Sequence, residues 1–311
     1  MKIILAQPRG FCAGVERAID IVEQTIQKYG PPVYVRHEIV HNKYVVEDLR
    51  KKGAIFVEEI DEIPTGAITI FSAHGVSEMV EINANQRKLD VIDATCPLVT
   101  KVHREAQSLE AMGRQIIMIG HTNHPEVIGT SGRVTQEVTL VSGLSDVTQI
   151  EVKNPDNLGY ITQTTLSVDE TREIIDALKQ RFPTIKGPDL KDICYATQNR
   201  QNAVRELCKD IDLLLVIGSE NSSNSNRLCD LGNELGVKSY LINTYHDINS
   251  QWILSSKKAV GITAGASAPE QLVEQVISHI LSISNMEVTT MSGVEESMKF
   301  KLPKKLLEAV V

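Results

Sequence analysis

No CxxC pair occurs in the 311 residues, and the five cysteines, at positions 12, 96, 194, 208 and 229, are odd in number and widely scattered. That pattern excludes a secreted disulfide framework and a zinc finger, so the thiols are expected to stay reduced and available for metals or chemistry. Positive charge is scarce as well: 32 Lys and Arg stand against 40 Asp and Glu, a formal charge of -8. Broad binding to nucleic acid or to an anionic membrane needs the opposite balance, so any anionic ligand must be held by local donors. No apolar run reaches the roughly 18 residues of a membrane span, and Ile3–Ala6 is too short for a signal-peptide core. A cytoplasmic protein is expected. The phosphate-cradling patterns GxxxxGKS/T and GxGxxG are also missing, which leaves an ATP or NAD site without support.

What is present is ordinary in bulk, 42% hydrophobic and 23% charged, enough for two or three folded domains. Strand-like apolar runs lie at 33–36, 54–57, 67–71, 91–94, 115–120, 138–141, 159–162, 213–218, 238–242 and 259–263. Helical periods fill most of the gaps, for example 15–29, 168–182 and 270–281. Alternation of this kind predicts an α/β protein with mostly parallel sheets, whose ligands collect in loops beyond the C-terminal ends of the strands.

Those loops repeat. Cys12, Cys96 and Cys194 each precede a helix, and about 30 residues after each comes a polar loop: "VHNK" with His41, "HTNHPE" with His124, and "NSSNSN" with Asn224. A second small-residue loop follows in each case: "SAHGVS" around His74, "TQTTLS" around Thr164 and Thr165, "TAGASAP" around Ser267. Three similar α/β domains about a pseudo-threefold axis are expected, over 1–96, 97–193 and 194–282, with 283–311 as a closing strand and tail.

Each of the three cysteines is read as following an apolar strand, "KIILA", "DVIDAT" or "LKDI". At a helix N-terminus, exposed N–H groups and the dipole stabilise a thiolate. Cys208 and Cys229 instead lie on apolar helical faces and read as core. Three thiolates suit an open zinc site or a 4Fe-4S cluster with one iron left for substrate. His41, His74 and His124 occupy equivalent loops and would supply positive charge to phosphate oxygens. His37, His103, His121, His246 and His279 read as surface or hydrogen-bonding residues. Ser222, Ser223, Asn224 and Ser267 precede helices and serve either as N-caps or as anion donors. Glu126, with Thr164 and Thr165, is the candidate for proton transfer, because a desolvated carboxyl holds its proton near neutral pH.

The segments "QPRGFCAGVERAI", "VHNKYVV", "FSAHGVS", "DATCPLVTKVH", "GHTNHPEVIGT", "TQTTLSVDET", "ICYATQNRQNAV", "GSENSSNSNRL" and "TAGASAP", in this order, resemble the 4-hydroxy-3-methylbut-2-enyl diphosphate reductases, last enzymes of the non-mevalonate isoprenoid pathway. The resemblance implies a trefoil-like, three-domain α/β enzyme with a central 4Fe-4S cluster on Cys12, Cys96 and Cys194, whose open iron takes the substrate hydroxyl. It implies that His41, His74, His124, Ser222, Ser223, Asn224 and Ser267 hold the diphosphate, that Thr164 contacts substrate near the cluster, and that Glu126 donates protons. The reaction implied is a two-electron reductive dehydroxylation to isopentenyl and dimethylallyl diphosphate, with electrons from a ferredoxin or flavodoxin. Two rivals share some of these residues: a non-catalytic iron-sulfur redox sensor, and a zinc-dependent hydrolase of a phosphorylated substrate.

Overall fold

The structure, a computed structural model, describes residues 2–307. Among these described residues twelve strands alternate with helices: β1 (Lys2–Leu5), β2 (Val33–Arg36), β3 (Ala54–Val57), β4 (Ile68–Phe71), β5 (Asp90–Asp93), β6 (Gln115–Ile119), β7 (Thr139–Val141), β8 (Leu158–Thr162), β9 (Leu213–Ile217), β10 (Lys238–Ile242), β11 (Ala259–Ala264) and β12 (Glu287–Thr290). They form three sheets, ordered β10-β9-β11-β1-β12, β3-β2-β4-β5 and β7-β6-β8. Among the described residues, every pairing between these strands is parallel, as the alternating pattern predicts. No helix among them is long and apolar enough to cross a membrane.

The chain divides into two compact units. One contains residues up to 15, 41–47 and 195–299, and with them the five-stranded sheet; the other contains 16–40, 48–194 and the residues from 300 onward, with the two smaller sheets. In the first unit every residue of β9 and β11 is buried, because helices cover both faces of the sheet. Leu213, Leu215 and Ile217 point to one side, against helix Glu270–Ile283 through Val273 and Val276. Leu214 and Val216 point to the other, against Val204 and Leu228 of helices Tyr195–Leu207 and Ser223–Glu234. The two-residue period of a strand produces this split. In the second unit the same alternation sends Ile117, Ile119 and Tyr160 into one cluster and Ile116, Met118 and Ile161 into another.

Two features depart from the linear pattern. Strand β1 does not pair with β2–β5 but lies between β11 and β12, with Ile3 opposite Val260 and Val288, so residues 1–96 contribute to two sheets. And "LKDI" is not a strand. Lys191 N–H donates to Pro188 O (3.1 Å) and Ile193 N–H to Leu190 O (3.2 Å), two successive turns, the first of which contains a left-handed Asp189 (φ 56°). Backbone groups spent on local turns leave nothing for a ladder.

Candidate active site

Each cysteine of the repeat makes the same kind of backbone contact within its own unit. In the first unit, Cys12 N–H donates to Ala266 O (3.3 Å). In the second, Cys96 N–H donates to Ala73 O and Cys194 N–H to Thr164 O, each at 3.0 Å. Ala266, Ala73 and Thr164 belong to "TAGASAP", "SAHGVS" and "TQTTLS". Each cysteine therefore meets the small-residue loop that ends its own sheet. Parallel register explains this: β1 ends beside β11, and β5 ends beside β4, so the segments leaving them run side by side. Cys194 has no strand before it. There Asp192 stands in, its Oδ2 accepting from Thr162 N–H at the end of β8 (3.2 Å).

Helices follow directly, Ala13–Tyr29 after Cys12, Pro97–Ala111 after Cys96 and Tyr195–Leu207 after Cys194. The N–H groups of Gly14 and Val15 and the Arg200 guanidinium favour the Cys12 thiolate, but burial outweighs them and pushes this thiol up in the metal-free protein. Cys208 and Cys229 border the apolar cluster around Val204 and Leu228, and burial pushes Cys208 to about 11. None of the five thiols is in a disulfide.

In the second unit Glu126 is 2% exposed, on the short helix Pro125–Ser131. Its Oε1 accepts Thr164 N–H (2.7 Å) and its Oε2 accepts the Thr164 hydroxyl (2.9 Å). Burial pushes its pKa up to about 7, against the two Thr164 bonds, with Asp192 adding to the rise. Of the two candidate threonines the structure thus selects Thr164; the Thr165 hydroxyl instead accepts from Gln163 Nε2 (2.8 Å). His124 caps the same helix, Nδ1 accepting Glu126 N–H (3.2 Å), which makes it a neutral imidazole with its proton on Nε2. The His74 ring lies edge-on to it, centroids 6.1 Å apart, with His74 Nδ1 3.2 Å from Ser72 Oγ.

In the first unit Ser222, Asn224 and Ser267 are buried, and His41 and Ser223 half-buried. The Ser267 hydroxyl donates to His41 O (2.9 Å), and Asn221 Nδ2 lies 3.4 Å from His41 Nδ1. Asn224 Oδ1 accepts Ala266 N–H (2.9 Å), pinning the residue that also holds Cys12. Ser222 does cap its helix, accepting from Ser225 N–H (3.3 Å) and Ser225 Oγ (3.0 Å), a role that leaves its own hydroxyl proton to donate. Among the described residues no three His, Cys, Asp or Glu side chains cluster tightly enough to hold a single metal ion.

The family described as LytB protein matches residues 3–281. The chain belongs to the LytB family. It is 58% identical over 310 residues to the 4-hydroxy-3-methylbut-2-enyl diphosphate reductase of Burkholderia pseudomallei, covering 100% of this chain and 99% of that protein. A second relative, 4-hydroxy-3-methylbut-2-enyl diphosphate reductase 2 of Bradyrhizobium diazoefficiens, is 56% identical over 98% of this chain and 99% of its own. The solved E-1-hydroxy-2-methyl-but-2-enyl-4-diphosphate reductase of Plasmodium falciparum superposes with a TM-score of 0.95 at 40% identity, over 98% of this chain and 96% of that one.

This LytB chain also corrects one histidine. His103 is no surface residue: it is 5% exposed in helix Pro97–Ala111, beneath the turn that carries His74, where a side chain at Gly75 would approach its Cε1 to 2.6 Å. Burial and the Arg133 guanidinium push its pKa down to about 4, against Glu81. The unfolded chain takes up this proton near 6.5 and the folded chain only near 4, so stability falls across that interval, by about 3 kcal/mol for a shift of this size. Urea unfolding of the metal-free protein at pH 7 and pH 4.5 checks this: His103→Gln is expected to show a smaller acid loss than wild type, and equal losses would clear His103 of the effect.

Proposed function

We propose that this chain reduces 4-hydroxy-3-methylbut-2-enyl diphosphate to isopentenyl and dimethylallyl diphosphate. Two electrons and two protons replace the allylic hydroxyl by hydrogen and release it as water. The observation that carries this reading is the buried Glu126 carboxyl, held by Thr164 and poised at about 7, in a LytB chain. LytB proteins are iron-sulfur enzymes. Cys12, Cys96 and Cys194 fit a 4Fe-4S cluster as ligands by their chemistry: three reduced thiols, each at a helix start, each with its own N–H tied to a small-residue loop. Cys208 and Cys229, also free thiols, stand at no helix start: Cys208 follows helix Tyr195–Leu207, its N–H on Val204 O, and Cys229 lies inside helix Ser223–Glu234. Such a cluster, when bound, supplies single electrons and a Lewis-acidic iron.

The chain's own residues do the rest. Glu126, protonated below about 7, delivers the proton with which the hydroxyl leaves as water, and Thr164 fixes both of its oxygens. Diphosphate oxygens are taken up by imidazole, hydroxyl and amide donors: His124 through Nε2, His74, His41, Ser222, Ser223, Asn224 and Ser267. Electrons come from a ferredoxin or flavodoxin in the cytoplasm, a reading supported by the missing nicotinamide pattern and by the odd, scattered cysteines without a CxxC pair.

Anaerobic reconstitution tests the whole. Roughly four iron and four sulfide per chain are expected, with turnover of the allylic diphosphate on a one-electron donor. Zinc in place of iron, or a filled cluster without turnover, overturns the reading. The sign of the pH dependence follows from Glu126: its folded pKa is raised, the acid form is the donor, and kcat is expected to fall as pH rises through about 7. A kcat that climbs through that range removes Glu126 as the acid.

A further inference from the structure

After β12 the chain runs without regular secondary structure over residues 291–303. Its first part shadows the segment that leads to Cys12. Met291 N–H donates to Leu5 O (3.0 Å), continuing the parallel β1–β12 register. At Gly293 an added Cβ would fall 2.0 Å from Gln7 O, so only glycine permits the approach. Three residues on, Glu296 meets Arg200, a residue with no accessible surface.

Arg200 uses all five of its N–H donors here. Nε and Nη2 donate to Gly10 O (3.0 and 2.6 Å), Nη2 also to Phe11 O (3.1 Å), and Nη1 to Ala196 O (3.0 Å). The one remaining N–H, on Nη1, faces the Glu296 carboxylate, whose Oε1 and Oε2 lie 3.1 and 3.2 Å from Nη1, with Oε2 also 3.2 Å from Nη2; Glu296 Oε1 takes a further bond from Asn199 Nδ2 (2.9 Å). A guanidinium stripped of water is stable only with a matched anion, and Glu296 is the carboxylate that supplies it. Gly10, at φ 69°, adopts the left-handed turn whose carbonyl Arg200 grips, two residues before Cys12.

We propose that the strap of residues 291–299 is the positioning element of the Cys12 turn, acting through the Glu296–Arg200 pair. The strap's glutamate holds Arg200 in place. Arg200 in turn holds the Gly10 and Phe11 carbonyls, so that the thiol is presented in one geometry before any group binds. That Cys12 is a metal ligand rests on the function proposed above; that the pair fixes its turn does not.

The test uses the full-length, metal-free, reduced chain. Each cysteine's alkylation by iodoacetamide is followed by mass spectrometry in wild type, Glu296→Ala and Glu296→Gln. Glu296→Ala is expected to speed alkylation of Cys12 roughly tenfold or more, as loss of a buried charge partner opens the turn locally, and to leave Cys208 and Cys229 at wild-type rates. Glu296→Gln, which keeps one acceptor and the shape, is expected to fall between. An unchanged Cys12 rate, or an equal rise at all five thiols, overturns the proposal. In the reconstituted protein Glu296→Gln is expected to shift the reduction potential or the electron paramagnetic resonance signature of the reduced cluster. An unchanged potential and signature overturn the link to the bound group. If wild type binds no iron, the function above fails while the alkylation result still decides the clamp.

Discussion

Glu126→Gln is expected to bind the allylic diphosphate and retain iron, yet to lose roughly 10²- to 10⁴-fold in kcat, the range for removal of a general acid. The substitution is nearly isosteric. The amide oxygen still accepts Thr164 N–H, and the amide nitrogen can face the Thr164 hydroxyl, so the pair that orients residue 126 survives in outline. What disappears is a proton that leaves near neutral pH. The loss should therefore fall on kcat and not on substrate affinity, and the basic limb of the pH profile should go with it. Near-wild-type kcat would take Glu126 out of the mechanism. Loss of iron together with activity would place its role in the fold instead.

Cys12→Ser, Cys96→Ser and Cys194→Ser are each expected to reconstitute with little or no stable iron, whereas Cys208→Ser and Cys229→Ser should fill like wild type. Serine fits the same space, so these changes test ligation with little disturbance of packing. A hydroxyl is a far poorer ligand than a thiolate for iron-sulfur chemistry, because it gives up its proton much less readily. The contrast with Cys208 and Cys229 gives the experiment its force: both border an apolar cluster, and their thiols are pushed up by burial alone or chiefly. Iron and sulfide content with the visible absorption of the cluster is the readout. Loss of the cluster in Cys208→Ser, with full loading in Cys12→Ser, would reverse the assignment.

Most elements of the fold were legible in the sequence because they are local. The runs at 33–36, 54–57 and 238–242 coincide with β2, β3 and β10, and the helix read over 270–281 is Glu270–Ile283. Periodicity records which residues face a core, and βα alternation leaves little besides parallel sheets. "LKDI" misled for the same reason: two apolar residues around two polar ones mimic a strand, while the turn after Pro188 is set by backbone bonds that the pattern does not carry.

The sequence nominated the candidate site as a set of residues and carried no arrangement for them. Motif order sufficed to nominate Glu126, Thr164, the three histidines and the three cysteines. Nothing in "YATQNRQNAV" marks Arg200 as the most deeply buried charge of its helix, since an arginine there reads as solvated until Glu296, 96 residues on, is folded back against it. His103 was misplaced on the same ground.

By itself, then, the sequence determined the α/β class, the parallel pairing and the chemical types available for catalysis, which follow from local composition and spacing, and it carried the family in the resemblance of its ordered motifs. Only the tertiary structure decided that β1 lies between β11 and β12, that each cysteine meets the loop ending its own sheet, that Thr164 rather than Thr165 holds Glu126, and that Glu126 keeps its proton to about 7. Register, burial and the field at a carboxyl are made by residues far apart in the chain, and they come into being only when those residues are packed together.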